Sequence, residues 1–181
     1  EHGGVDYKGV ARAVIADLTG GLKQGASTIT MQVARDFYLT KDKLFSRKLT
    51  EVMLAYKMER TLTKDQILEL YMNQVYMGQR AYGFGSAARV YFGKQLKDVS
   101  IAQAAMLAGL PQAPSTVNPV VNPKRAQARQ HMVLKRMRDL NYITEVQLKQ
   151  ALVENIQVRG EGQSYSNHAQ YVAEMVRQAM Y

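Results

Sequence analysis

Three short stretches of the form Ser/Thr-x-x-Gln mark helix starts along this chain, at residues 63–66, 100–103 and 144–147. In such a capping box the hydroxyl accepts a hydrogen bond from the third helical N–H, and the glutamine side chain accepts one from the N–H of the cap residue. Asn122 and Pro123 predict a further start, because proline is favoured at the first helical position. No segment has the alternating pattern of a strand, so we predict a mainly α fold.

Composition narrows the classes of function. Of the 181 residues, 46% are hydrophobic, which is enough for a packed core, and none is Cys, which excludes a thiol nucleophile. The three His are scattered and do not form a His-rich metal site. No apolar run is long enough to predict a membrane-spanning helix. A net charge of +9 favours an anionic partner: nucleic acid, an anionic membrane or a phosphorylated substrate.

Further helices follow from apolar periodicity. A spacing of four predicts one helix face with Val10, Val14 and Leu18, and another with Ile29, Val33 and Phe37. Ser27 is the predicted cap of the second of these helices, and Ser46 that of a third. Residues 113–123, APSTVNPVVNP, predict an extended connector.

Residues 25–36, GASTITMQVARD, could bind an anion. If a helix starts at Ser27, its first N–H groups and the positive end of its dipole face outward, beside the hydroxyls of Ser27, Thr28 and Thr30. Such an arrangement suits phosphate or pyrophosphate. Gln32 and Arg35, three residues apart, would continue the same face. The alternative is a capped helix with a solvated polar face.

Two other clusters could carry chemistry. Arg47 and Lys48 lie four and three residues before Glu51, so on a helix two cations flank one carboxylate. This arrangement could clamp a leaving phosphate, or could be a surface ion-pair cluster. Within residues 64–73, Glu69 and Asn73 align at a spacing of four. The alternative there is an ordinary capped amphipathic helix.

A segment that mixes large apolar residues with cations suits the interface of an anionic membrane. The alternative is a core-packing loop with solvated lysines. Its apolar members are Phe37, Tyr38, Leu39, Leu44 and Phe45, and its cations are Lys41, Lys43, Arg47 and Lys48.

Five stretches, in this order, resemble the motifs of one family. They are EHGG at residues 1–4, GASTITMQ at 25–32, RKLTE at 47–51, KDQILELYMN at 64–73 and RQHMVLKRM at 129–137. Residues 1–155 are similar to the peptidoglycan glycosyltransferase domain (family 51) of class A penicillin-binding proteins. Residues 156–181 are then a linker, or the start of the region that leads to a transpeptidase domain.

The resemblance implies a lysozyme-like, mainly α fold with a larger head and a smaller membrane-facing jaw. The family polymerises lipid II into β-1,4 glycan strands in bacterial cell-wall synthesis. The growing strand is the donor, held through pyrophosphate to a polyprenyl tail. Because the α-linked donor becomes a β-linked product, one displacement with a general base suffices. No cofactor is required, although a divalent cation (Mg²⁺ or Mn²⁺) at Glu51 is a possibility in the family.

The implied partners are lipid II, the growing glycan strand, the membrane surface and moenomycin-type inhibitors, but no nucleic acid. The implied location is the outer, periplasmic face of the bacterial cytoplasmic membrane, with an N-terminal anchor helix upstream and a DD-transpeptidase domain downstream in the same chain.

Residue roles follow position by position from the matched motifs. Glu51, Lys48 and Arg47 match catalytic positions. The substrate-binding positions are Ser27, Thr28, Gln32, Arg35, Glu69, Tyr71, Asn73 and His2.

Three departures from the family pattern are evident. Met31 stands where the family usually has Gln, and we expect it to be tolerated if its side chain faces away from the ligand. Arg35 stands where Lys is common, which keeps the charge and changes its shape. The family's general base is a Glu seven residues before the His that matches His2. That position precedes residue 1, so the chain beginning at Glu1 is expected to lack its base.

Two other classes of protein are possible. A lytic muramidase on a similar fold would cleave glycan with one acidic Glu and would need no pyrophosphate clamp. A non-enzymatic basic helical module could bind nucleic acid or membrane, but no recognition-helix or RNA-binding motif is present.

Overall fold

A computed structural model describes residue 6, residues 27–38 and residues 44–159. The chain divides into two compact units, Glu1–Val75 and Tyr76–Tyr181. Helices dominate both units, and the one β-bridge in the described residues pairs Tyr76 with Tyr82. The mainly α prediction is therefore confirmed, whereas the division into head and jaw stays a prediction. The predicted helix with Val10, Val14 and Leu18 lies outside the described residues.

Three helices of the first unit are described: α1 (Ile29–Tyr38), α2 (Leu44–Thr61) and α3 (Lys64–Gln74). Helix α1 packs against both others. The core of this unit combines Val33 and Ala34 of α1 with Met58 of α2, and partly buried side chains pack around them: Leu54, Leu62, Leu70 and Tyr71.

Three predictions for this unit are wrong in detail. The residue that caps α1 is Thr28 and not Ser27, because the N–H of Met31 donates to Thr28 Oγ1 at 3.2 Å. Ile29 is exposed and does not join Val33 on a buried face, since α1 buries the side of Met31, Val33 and Ala34. Ser46 does not cap α2, which begins two residues earlier.

The second unit contains α4 (Phe84–Phe92), α5 (Ile101–Gly109), α6 (Pro123–Asp139) and α7 (Glu145–Val153), with short 3-10 helices at Leu96–Asp98 and Leu110–Gln112. Helix α6 packs against α5 and α7. The fifth motif lies within α6, and its Leu134 is fully buried in the core formed with α5 and α7. Gln130 of the same motif donates its Nε2–H to the carbonyl of Ala102 at 2.9 Å. These two residues of the motif thus hold the core together.

All three predicted capping boxes form. The N–H groups of Gln66, Gln103 and Gln147 donate to the hydroxyls of Thr63, Ser100 and Thr144 at 3.2, 3.1 and 3.2 Å. The reciprocal bonds from the cap N–H groups to the glutamine side chains measure 2.8, 3.0 and 2.8 Å. The predicted start at Asn122 and Pro123 also forms, with the Asn122 side chain accepting from the N–H of Arg125.

Residues 113–123 do not form the predicted extended connector. They fold into consecutive turns around the buried side chain of Asn118. Its Nδ2–H donates to the carbonyl of Pro114 at 2.9 Å, and its Oδ1 accepts from the N–H of Val121 at 2.9 Å. An asparagine that replaces backbone partners in this way converts a polar loop into a packed element.

Residues 154–159 run along the second unit without helical structure. Ile156 packs on the core, and the N–H of Arg159 donates to the carbonyl of Tyr91 at 2.9 Å. The predicted domain boundary at residue 155 falls inside this attached segment, and it stays a prediction. In the part of the chain that the structure describes, none of the helices combines the length and apolar character needed to cross a membrane.

Gly78 occupies a position that no other residue fits well. Its φ is +82°, and an added Cβ would lie 2.4 Å from the carbonyl oxygen of Pro114 and 2.8 Å from the hydroxyl of Tyr91. That hydroxyl donates to the carbonyl of Met77 at 2.8 Å, and burial raises the pKa of Tyr91, which keeps it a donor. These buried polar groups therefore fix the conformation of the turn at Gly78.

We predict that Gly78→Ala lowers the free energy of unfolding by about 2 kcal/mol or more, because strained backbone and a steric clash combine. Gly85→Ala is the matched control, since a Cβ there meets nothing within 4 Å. That change should be neutral or stabilising by about 0.5–1 kcal/mol, because Gly85 is helical. Urea denaturation measures both, and equal effects of the two substitutions would contradict the assigned role of Gly78.

Candidate active site

An ion pair joins the second and third motifs. Nη1 of Arg35 on α1 lies 3.8 Å from Oε1 of Glu51 on α2. The Glu51 side chain is 3% exposed, whereas that of Arg35 is 42% exposed. Nε of Arg35 also lies 3.7 Å from the neighbouring Asp36 carboxylate. Sequence spacing associated Glu51 with Arg47 and Lys48, and the structure adds a cation from another helix.

Burial explains why Glu51 needs such a neighbour. A carboxylate removed from water without a compensating cation or hydrogen bonds is costly, so it either pairs or becomes protonated. Arg35 meets this need from the rim of the unit. A guanidinium has five N–H donors in a planar fork, so one edge can face Glu51 while another faces an incoming phosphate. The arrangement can therefore orient a cation toward an anionic ligand.

The hydroxyls at the start of α1 are used differently from the prediction. Thr28 is buried, and its hydroxyl caps the helix. Thr30 is also buried, and its hydroxyl donates to Oε1 of Glu59 at 2.6 Å. The Thr30 hydroxyl is therefore used within the protein, whereas ligand contacts by Ser27 and Thr28 stay predictions. An anion at this helix start would meet the backbone N–H groups of the first turn and the half-buried side chains of Ser27 and Gln32.

Met31 lies in the interior of the first unit, with 2% of its surface exposed. Its side chain faces the core while Gln32, its neighbour, stays half-buried at the surface. The departure from the family pattern at position 31 therefore falls on a packing position, as expected if this residue faces away from the ligand.

Glu59 was not among the predicted site residues. Its carboxylate accepts from the Thr30 hydroxyl and lies 2.7 Å from Nζ of Lys64, the first residue of α3. One side chain of α2 thus connects the first turn of α1 with the first turn of α3. A signal existed in the sequence, because Glu51 and Glu59 occupy the same i, i+4, i+7, i+8 stripe as the buried Ala55 and Met58. Two acids on an apolar stripe indicate internal partners.

The substrate-binding positions of the fourth motif separate on α3. Glu69 and Asn73 are exposed on neighbouring turns, in line with their predicted alignment. Tyr71 packs against the core, where burial and secondarily the Asp36 charge raise the pKa of its hydroxyl. The Tyr71 hydroxyl is therefore a neutral hydrogen-bond donor at physiological pH. It lies near the carboxylate of Asp36.

Two groups of predicted site residues lie wholly or partly outside the described part of the chain. His2 lies wholly outside the described residues. The backbones of Arg47 and Lys48 are in α2, so their predicted spacing from Glu51 holds, but their side chains lie outside the described residues. The predicted interfacial segment likewise falls mostly there.

The described residues do not favour a divalent cation. They include no cluster of three or more His, Cys, Asp or Glu arranged to hold a metal ion. Mg²⁺ and Mn²⁺ favour several oxygen ligands. Glu51 is instead a buried carboxylate with a guanidinium beside it. The described residues thus offer few oxygen ligands at Glu51, and a divalent cation there stays a prediction.

The first unit thus combines a helical fold with a buried carboxylate beside a half-exposed cation. A sequence model of the transglycosylase family matches residues 1–138. The chain belongs to this family.

Two individual proteins and one solved structure are also similar to this chain. Penicillin-binding protein 1A of Neisseria lactamica is 54% identical over 182 residues, which cover 100% of this chain and 23% of that protein. A protein of Cupriavidus necator with transglycosylase in its name is 58% identical over 158 residues. These residues cover 87% of this chain and 68% of that protein. The crystal structure of penicillin-binding protein 1A from Haemophilus influenzae matches with a TM-score of 0.54 and 33% identity, over 84% of this chain and 19% of that one.

These matches confirm the resemblance to class A penicillin-binding proteins. The chain spans about a quarter of the length of its Neisseria relatives, since it covers 23% of penicillin-binding protein 1A from Neisseria lactamica and 23% of that from Neisseria cinerea.

We predict that Thr30→Val destabilises the protein by about 1–3 kcal/mol, because the largely buried Glu59 carboxylate loses a hydrogen-bond donor. Thr61→Val is the matched control, since its exposed hydroxyl bonds only to carbonyls of its own helix, among the described contacts. It should shift stability by about 0.5 kcal/mol or less. Chemical denaturation distinguishes the two, and equal shifts would show that the bond to Glu59 contributes nothing.

Proposed function

We propose that this protein is a peptidoglycan glycosyltransferase that polymerises lipid II into β-1,4 glycan strands in bacterial cell-wall synthesis. Membership of the transglycosylase family supports the class of reaction. The single observation that carries the proposal is the pairing of the half-exposed Arg35 with the buried Glu51. Arg35 lies in the last turn of α1, and the pair would orient its cation toward a pyrophosphate bound along this helix.

The proposed reaction is one inverting displacement. The 4-hydroxyl oxygen of lipid II attacks C1 of the donor sugar, the bond from C1 to the pyrophosphate oxygen breaks, and a general base takes the hydroxyl proton. By resemblance, that base is the Glu expected seven residues before His2. The leaving pyrophosphate is already anionic, so it needs cations more than it needs a proton donor. No cofactor is required for these steps.

Residues of the first unit have different roles in the proposed reaction. Arg35 contacts the leaving pyrophosphate, and Glu51 holds its guanidinium in one orientation. Arg47 and Lys48 add charge from the turn of α2 that precedes Glu51. Thr28 and Glu59 keep the first turn of α1 in place, so that its N–H groups are oriented before substrate arrives. Such preorganised charge is worth more in transfer reactions than flexible charge.

The whole protein is proposed to be a penicillin-binding protein of the 1A kind. Its partners would be lipid II, the growing strand, the membrane surface and moenomycin-type inhibitors, with a transpeptidase domain in the same chain and no nucleic acid. It would act at the periplasmic face of the cytoplasmic membrane. The net charge of +9 suits an anionic lipid-linked substrate at such a surface.

We predict that Glu51→Gln in the full-length enzyme lowers the rate of lipid II polymerisation about 100-fold or more, because Arg35 loses the charge that orients it. The fold should persist, since the amide keeps the shape of the carboxylate. Glu145→Gln makes the same change at an exposed position and should leave the rate unaltered. Near-normal turnover of Glu51→Gln would refute the role of Glu51.

The same preparations discriminate the other classes of function. Release of soluble muropeptides from finished peptidoglycan, without polymerisation of lipid II, would indicate a muramidase. Salt-dependent binding to duplex nucleic acid that is tighter than binding to lipid II would indicate a non-enzymatic module.

We also predict that Arg47→Ala and Lys48→Ala each weaken binding of lipid II and of moenomycin about tenfold, because each removes a charge-assisted contact with phosphate. Lys57→Ala is the control, since Lys57 is an exposed lysine further along the same helix. Binding titrations provide the measurement. If all three variants bind like the wild type, the cationic clamp is wrong.

A further inference from the structure

Two exposed tyrosines form a pair at the start of the second unit. The rings of Tyr76 and Tyr82 have centroids 5.1 Å apart and are tilted by 47°. Tyr76 is 37% exposed and Tyr82 is 63% exposed. Each ring therefore still presents surface to solvent while it packs against the other. Tyrosine offers a large, rigid contact area at little cost in conformational entropy, and it is enriched where proteins bind ligands.

The pair stands on a rigid base. An antiparallel bridge joins Tyr76 and Tyr82, and the N–H of Met77 donates to the carbonyl of Ala81 at 2.9 Å. Met77 and Ala81 are fully buried, so side chains alternate inward and outward along both short arms. The Tyr91 hydroxyl donates a hydrogen bond to the carbonyl of Met77. The two outward rings thus have a fixed orientation.

The turn between the arms is strained. Gln79 and Arg80 have φ of 48° and 57°, in the left-handed region that residues with a Cβ rarely adopt. Each such residue costs about 1 kcal/mol or more. Arg80 in this turn is exposed and lies two residues before Tyr82 in the chain. Strain of this kind is found where a surface has a function that outweighs it.

We propose that Tyr76, Tyr82 and Arg80 form a binding platform for the sugar rings of a β-1,4 glycan strand. The faces of these sugars carry C–H groups, which pack on the electron-rich face of an aromatic ring. Their rims carry hydroxyl and acetamido groups, which can bond to the tyrosine hydroxyls and the guanidinium. The platform rests on the proposed function, because that reaction produces such a strand. It holds the strand after synthesis and delays its release.

The test uses the full-length protein and two probes: chitohexaose, and soluble uncross-linked peptidoglycan strands. Tyr82→Ala should weaken binding of both about fivefold or more, and should shorten the strands made from lipid II. Tyr82→Phe keeps the ring face and should bind within about twofold of the wild type. Tyr142→Ala removes a tyrosine that is 76% exposed elsewhere on the same unit, and it should change neither affinity nor strand length.

Circular dichroism melting checks that each variant is folded. If Tyr82→Ala does not fold, Tyr82→Leu, which fills similar space without a flat ring, takes its place with the same expectation.

Glycan binding by a folded Tyr82→Ala that equals the wild type would overturn the proposal. Equal losses of glycan binding in Tyr82→Ala and Tyr142→Ala would also overturn it. So would a Tyr82→Ala variant that loses binding to phosphatidylglycerol vesicles but keeps glycan binding. If the wild type fails to polymerise lipid II, the proposed function fails, but chitohexaose binding by the wild type and Tyr82→Ala still decides the platform.

Discussion

The burial of carboxylates on α2 determines how the first unit is built. Glu51 and Glu59 lie on the face of α2 that packs inward, and neither can be left there without partners. Arg35 approaches the first, while Thr30 and Lys64 contact the second. These contacts fix α1 and the start of α3 against α2. Apolar packing supplies most of the stabilisation, but the acids specify which residues must meet.

The same contacts prepare the candidate site. Thr30 lies in the first turn of α1, so its bond to Glu59 holds the turn whose N–H groups would face an anionic ligand in the proposed site. Arg35 lies one turn from the end of that helix and is held by Glu51. Folding therefore sets the positions of the proposed donor-binding groups before a substrate arrives. A site arranged in this way loses little free energy to reorganisation during the reaction.

The sequence predicted the features that depend on local contacts. Capping boxes involve residues three apart, so the starts at Thr63, Ser100 and Thr144 could be identified correctly. Thr28 replaced Ser27 as a cap, because two adjacent hydroxyls compete and only packing chooses between them. The turns around Asn118 and the bonds of Glu59 depend on distant partners, which neither periodicity nor spacing can show. Family resemblance identified the motifs, and the structure showed that part of the fifth motif holds a core.

A carboxylate beside the proposed cation opposes phosphate binding to some degree, and magnitudes decide which effect is larger. At an effective dielectric constant of about 20, unit charges about 4 Å apart interact by about 4 kcal/mol, and at about 8 Å by about 2 kcal/mol. A phosphate in contact with the far edge of the Arg35 guanidinium therefore gains more from the cation than it loses to Glu51. Asp36, 3.7 Å from Nε of Arg35, repels it as well, so a net attraction needs the further proposed cations Arg47 and Lys48. Each further cation nearby adds to that difference, and the chain has a net charge of +9. Glu51 thus costs part of the attraction, and in return it fixes the direction in which the cation points.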